Sequence, residues 1–254
     1  MNQACIANTK RYEDLSCELS PTSEINYRRM KTKLVLLAVC FLSVIPQTFS
    51  QKKPKADTGI HPGIQAGVNL RTIYGKDYEG NELNYNLNFG FNAGANVNIP
   101  IAPDFYIQPG LMLSLKGFSQ EILAGTNTNT NLFYAEIPIN FLFRPQVGNG
   151  HMLLGFGPYA GYGIFGNKKT GDDNDKIKFK NKVSVSDLSA AGAFYKPIDA
   201  GAGILFGYEL YSGLYFKIDG QLGLLNIYPE YEGLVNNKAS FKNFGAGLSV
   251  GFRF

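Results

Sequence analysis

The chain has no tryptophan, two histidines and three cysteines in 254 residues. All three cysteines (Cys5, Cys17 and Cys40) precede residue 50. The rest of the chain can therefore form neither a disulfide nor a thiolate metal site. Charge is also scarce: only 17% of residues are Asp, Glu, Lys or Arg, and the net charge is +4. Part of that surplus sits in residues 1–50, so the remainder is close to balance, which is no footprint for nucleic acid. Beyond residue 50 no apolar run approaches the roughly 18–20 residues of a membrane-crossing helix. No Gly-x-Ser-x-Gly elbow and no His–acid cluster is present, so the usual parts of a nucleophilic hydrolase are missing. No cofactor or metal is expected, nor is enzymatic activity.

What is abundant points elsewhere. There are 29 Gly, 19 Phe and 15 Tyr, and 44% of residues are hydrophobic. That composition excludes disorder and favours strands over helices. Near the start, Met30–Lys33 is basic, Leu34–Ile45 is apolar, and Pro46–Ser50 carries the small residues Thr48 and Ser50. The pattern is that of a secretory signal peptide over 30–50, cut between Ser50 and Gln51. A membrane anchor is disfavoured because the apolar run is too short. A lipoprotein signal ending at Cys40 is disfavoured because bulky Val39 precedes it. Residues 1–29 then read as a mis-assigned start or a disordered extension, with translation beginning at Met30. Residues 51–60 read as a flexible leader, and 61–254 as the folded body.

The body alternates with period two. From Asn86 to Ile99, Leu87, Phe89, Phe91, Ala93, Ala95, Val97 and Ile99 share one face, while Asn and Gly hold the other. From Asn243 to Phe254, Phe244, Ala246, Leu248, Val250, Phe252 and Phe254 alternate with Asn, Gly, Ser and Arg253. Six further segments, 62–72, 104–116, 131–145, 150–165, 197–210 and 213–226, bring the count to eight. The connections alternate too. Residues 73–85, 117–130 (with the low-complexity Thr126–Asn131), 166–196 and 227–239 are long and polar, and the links between them are short. This is the pattern of an all-β fold, an eight-stranded antiparallel transmembrane β-barrel running as an up-and-down meander.

A soluble lipocalin-like barrel also has eight strands, but its water-facing side carries many charges. Here the polar face is Asn and Gly, the strands are long enough to span hydrocarbon, and the chain ends on an aromatic. Phe252 and Phe254 are expected to form the C-terminal signal read by the barrel assembly machinery. Phe89, Phe105, Phe133, Phe143, Phe206, Tyr208, Phe244 and Phe252 are expected at the membrane interfaces, and Ala95, Ala160, Ala202 and Leu248 against acyl chains.

An eight-stranded barrel is narrow enough for side chains to fill it. The inward set is predicted to be a polar network of Arg71, Lys116, Glu136, Arg144, Asp199, Glu209, Lys217, Asp219 and Arg253. Both signs occur, so ion pairs are expected in place of a conduction path. Glu209 and Lys217 flank one short hairpin and are expected to couple. Gly155–Ala160 matches a dinucleotide-binding fingerprint, yet Pro158 and the continuing alternation deny it the helix it needs. Asp172–Asp175 lacks the spacing of a calcium loop and reads as a solvated tip.

Tyr134-Ala135-Glu136-Ile137-Pro138-Ile139, Gly155-Phe156-Gly157-Pro158-Tyr159 and the closing Phe244–Phe254 together resemble the PorT-like outer-membrane β-barrel family of Bacteroidota. The resemblance covers about residues 60–254 and implies an exported barrel in the cell outer membrane. The family's namesake supports protein secretion, so an accessory role there is one expectation. The main expectation is a non-enzymatic structural or interaction role through the surface loops, above all 166–196. The expected partners are outer-membrane lipid, the assembly machinery and a surface or periplasmic protein, with no nucleic acid. A lipid-acting enzyme and a small pore are the alternatives.

Overall fold

Residues that alternate between apolar and polar bury one face only as extended backbone. In the computed structural model, which describes residues 59–123, 126–171, 173–188, 193–233 and 237–254, the alternating segments form eight long strands. They are β1 (His61–Lys76), β2 (Asn88–Ala102), β3 (Phe105–Leu123), β4 (Thr126–Phe143), β5 (Gly150–Thr170), β6 (Ile198–Leu210), β7 (Leu214–Gly223) and β8 (Ser240–Arg253). Each pairs antiparallel with the next. β1 also pairs with β8, from Gly63↔Arg253 to Lys76↔Ser240, so the sheet closes into a barrel with no free edge. Closure is what hydrocarbon demands, because every backbone N–H and C=O there needs an internal partner. No helix among the described residues is long and apolar enough to cross a membrane.

Burial is inverted relative to a water-soluble protein. Along β8, Leu248 is 56% exposed and Phe254, just beyond the strand, 65%, while Asn243 and Arg253 are 3% and 6% exposed. Ala95, Ala160, Ala202 and Leu248 all face outward. The inward glycines make room for bulky side chains of the neighbouring strand, as Gly251 does for its partner Tyr215. A Cβ at Gly251 would lie 2.2 Å from the Tyr215 ring. At the short β6–β7 connection Gly213 takes φ +88°, a conformation glycine adopts without strain.

Aromatic rings mark both ends of the outer apolar band. Near the short turns, Phe105 and Phe143 lie 4.8 Å apart, and Phe252 and Phe254 5.3 Å. Toward the long loops, Phe133 stacks on Phe165 at 4.1 Å and meets Phe91 at 5.8 Å.

The loop end departs from expectation. Residues 117–130, read from their polarity as a loop, are mostly strand. The β3–β4 hairpin continues from Gly117↔Asn131 to Leu123↔Thr126. Polarity misled here because β-branched Thr suits a strand, and above the hydrocarbon its outer face meets water. Thr128 and Thr130 point inward and are buried. Residues 166–196 are likewise structured in large part. β5 runs on to Thr170 and turns into a strand at Asp173–Phe179, which pairs in parallel with Ala193–Tyr195. Between these lies a single helical turn, α1 (Val185–Leu188).

These segments build an apolar cluster inside the loop end: Ile73, Phe118, Leu132, Tyr134, Ile177, Tyr195 and Ile227. Leu83, Tyr85, Phe179 and Phe241 pack against it. A second buried apolar cluster, Tyr106, Leu142, Leu153, Leu205 and Tyr215, lies inside near the short turns, so the inward face carries apolar groups toward both ends and is most polar between them. The Ser50–Gln51 junction and the whole signal segment lie outside the described residues.

Candidate functional site

Among the described residues, the closed strands aim nine charged side chains into the lumen, and the structure sorts them into three groups. Nearest the loop end, Lys116 of β3 places Nζ 2.5 Å from Oε1 of Glu136 (β4) and 2.8 Å from Oδ2 of Asp199 (β6). The ammonium also sits 4.3 Å from the centre of the Tyr159 ring. Asp199 accepts further hydrogen bonds from Asn243 Nδ2 at 2.9 Å and Tyr159 OH at 3.3 Å. A buried cation and two buried carboxylates are tolerable only when linked in this way.

At the waist, Asp219 lies between Arg71 and Lys217, 3.8 Å from each. These are loose pairs, beyond hydrogen-bond range. Near the short turns, Glu209 takes Arg144 at 2.6 Å and Arg253 at 3.6 Å. Arg144 lies over the Tyr106 ring and Arg253 over Tyr215, at 5.7 and 5.1 Å to the ring centres. Asn96 accepts a hydrogen bond from Arg253 and donates one to Tyr215 OH at 3.0 Å.

Two features were not read from the sequence. The expected Glu209–Lys217 pair does not form. The two residues are diagonal neighbours across the hairpin (Glu209↔Tyr215, Gly207↔Lys217), but Glu209 reaches across the lumen to the arginines. Lys217 turns instead to Asp219, two residues along the same face of its own strand. The partners Tyr159, Tyr215, Asn96 and Asn243 were also missed as network members. The usable signal was their phase, because each falls on the same side of the alternation as the charges.

The other two motifs lie in strands. Gly155–Ala160 lies within continuous β5, with no helix following. Of Asp172–Asp175, Asp172 lies outside the described residues and the other three belong to the hairpin strand Asp173–Phe179. No group of three or more His, Cys, Asp or Glu suited to a metal ion occurs among the described residues. His151 packs against Tyr211 near the short turns, 5.7 Å between ring centres.

Above the membrane, α1 is held by Asp187. It accepts from Lys180 Nζ at 2.6 Å and from the N–H and hydroxyl of Ser184 at 3.1 and 3.0 Å. The Lys180 bond is the largest of the influences that bring the Asp187 carboxyl down to about 2.

Enclosed charges, inverted faces and closed meander together describe a membrane barrel, and a family matches that description: "Outer membrane protein beta-barrel domain", over residues 49–228. The chain belongs to this family. It is thus an outer-membrane β-barrel protein, and the strand that completes closure, β8, lies beyond the matched stretch. No curated protein matches the chain. Among solved structures it is similar to Ail, the attachment invasion locus protein of Yersinia pestis, at 11% identity, covering 76% of this chain and 98% of that one with a TM-score of 0.36. It is also similar to the outer membrane protein OprG from Pseudomonas aeruginosa, at 11% identity, covering 78% and 96% with a TM-score of 0.42.

Proposed function

We propose that this barrel is a non-enzymatic outer-membrane protein that acts through the surface built at its loop end. The observation that carries the reading is the filled lumen. Ion-paired side chains occupy it from Glu209 to Lys116, and the apolar cluster around Tyr134 and Ile177 caps it. A barrel filled in this way is a scaffold for what it displays. Here that is the Gly166–Tyr195 region, whose strands and α1 are tied to one another by backbone and side-chain bonds.

On this reading export uses a signal peptide ending at Ser50. The outward rings of Phe252 and Phe254 present the C-terminal signal to the barrel assembly machinery. Lipid contacts the outer face, and a surface or periplasmic protein contacts the loops or turns. The PorT-like motifs at Tyr134–Ile139 and Gly155–Tyr159 favour one narrower reading, a Bacteroidota barrel accessory to protein secretion.

Planar-bilayer recording and phospholipid turnover by the purified full chain test the main reading together. The expected result is neither stepwise conductance nor release of fatty acid from a protein that migrates differently on gels before and after boiling. Reproducible conductance steps would favour the pore. Turnover abolished by a single side-chain change would favour the enzyme.

A further inference from the structure

Among the described residues, the lumen's formal charges do not cancel. Five cations, Arg71, Lys116, Arg144, Lys217 and Arg253, face four anions, Glu136, Asp199, Glu209 and Asp219. The surplus can be located. The loop-end group has one cation for two carboxylates, and the turn-end group has one carboxylate for two cations, so these two offset each other. At the waist, Arg71 and Lys217 share Asp219 alone, each at 3.8 Å.

The waist also has space and free donors. A cavity of about 50 Å³ lies there, lined by Arg71, Lys217, Asp219, Glu136, Ser114 and Gln221 among others. Arg71 and Ser114 are 3% and 2% exposed, yet Arg71 Nε and Ser114 Oγ have no hydrogen-bond partner. A void of that size takes several waters, or one small ion with a water. Water would satisfy the donors but leave the extra positive charge inside a low-dielectric barrel, where an unpaired charge is costly.

We infer that the waist cavity binds one small monovalent inorganic anion, of halide size, between Arg71 and Lys217. Amide and hydroxyl donors around it complete the shell, and the carboxylates Asp219 and Glu136, the second already held by Lys116, limit the affinity by repulsion. The ion balances the lumen. Anions as bulky as gluconate do not fit.

The test uses the purified full chain, folded in zwitterionic detergent. Its unfolding temperature is followed by gel mobility in sodium bromide and in sodium gluconate at equal ionic strength. The expected result is a midpoint higher in bromide by ~3 °C or more, the size of shift that a ligand well above its dissociation constant produces. Lys217→Gln removes the surplus and is expected to abolish the difference. Asp219→Asn adds to the surplus and is expected to widen it. Because these two variants move in opposite directions, a folding defect in one leaves the other decisive. Crystals grown in bromide are expected to show an anomalous peak between Arg71 and Lys217. Equal midpoints in the two salts for the wild-type chain, an unchanged difference in Asp219→Asn, or a bromide map empty at the waist would each overturn the inference.

Discussion

The two tight ion groups in this lumen are built with opposite stoichiometry. At the loop end one lysine holds two carboxylates, and at the short-turn end one carboxylate holds two arginines. Each surplus is handled in the way its charge allows. The extra negative charge on Asp199 is met by donors, the Asn243 amide and the Tyr159 hydroxyl. The extra positive charge lies over ring faces, Tyr106 under Arg144 and Tyr215 under Arg253. Carboxylates accept hydrogen bonds only, whereas a planar guanidinium also stacks on π-faces, so the chemistry of the surplus selects its neighbours. The two ends also differ in burial. The side chains of Lys116, Glu136 and Asp199 are almost wholly enclosed, while Arg144 keeps some contact with solvent.

That contrast sets the order of expected losses. Lys116→Met leaves two buried carboxylates facing each other and is expected to cost about 3–5 kcal/mol, the usual penalty for breaking a buried ion pair from one side. Urea unfolding in detergent micelles measures it, and a loss below that of the turn-end variant would erase the comparison. Glu209→Gln strands two arginines that still rest on tyrosines, with Asn96 on Arg253. The expected loss is smaller, about 2–3 kcal/mol, as for unmade hydrogen bonds to charged groups.

The apolar cap gives the next step. Ile177→Ala removes packing from a cluster partly made of connecting strands and is expected to cost about 2 kcal/mol or somewhat more. Because the hole opens above the membrane, faster protease cleavage within 166–196 is expected before any change in the barrel's gel mobility. Simultaneous loss of both would join cap and barrel into one cooperative unit.

The smallest effect belongs to Asp187. Its carboxyl is held at about 2, below the ordinary 3.8, with Lys180 the leading cause. A lowered carboxyl contributes stability above its unfolded value and loses it as pH falls through the folded one. Asp187→Asn is therefore expected to speed amide exchange at Ser184 near neutral pH, with the difference from wild type closing as pH approaches 2. A difference that persisted there would remove the Lys180–Asp187 pair as its cause.

Much of the molecule was legible in advance for one reason, period two. The phase of Asn243, Gly245, Ser249 and Arg253 against Phe244, Leu248 and Phe252 identifies which side chains share a face. The scarcity of charge on the polar face indicates which face is enclosed. The loop end was less legible because polarity stops reporting on structure once the outer face meets water. Thr126–Asn131 looks the same on paper as a strand or as a tip, and pairing with Gly117–Leu123 decides it.

The sequence alone determined the number of strands, the meander and the inverted faces, because each follows from local alternation and hydrocarbon's demand for paired backbone. Only the tertiary structure decided which cation meets which anion and what caps the barrel. Lys116 and Asp199, or Arg144 and Glu209, are far apart in the chain, and no local pattern aims one at the other. The registers of the strands between them, such as Glu136 opposite Gly161 and Asp199 opposite Gly161, bring such residues to one height in the lumen and so select the pairs.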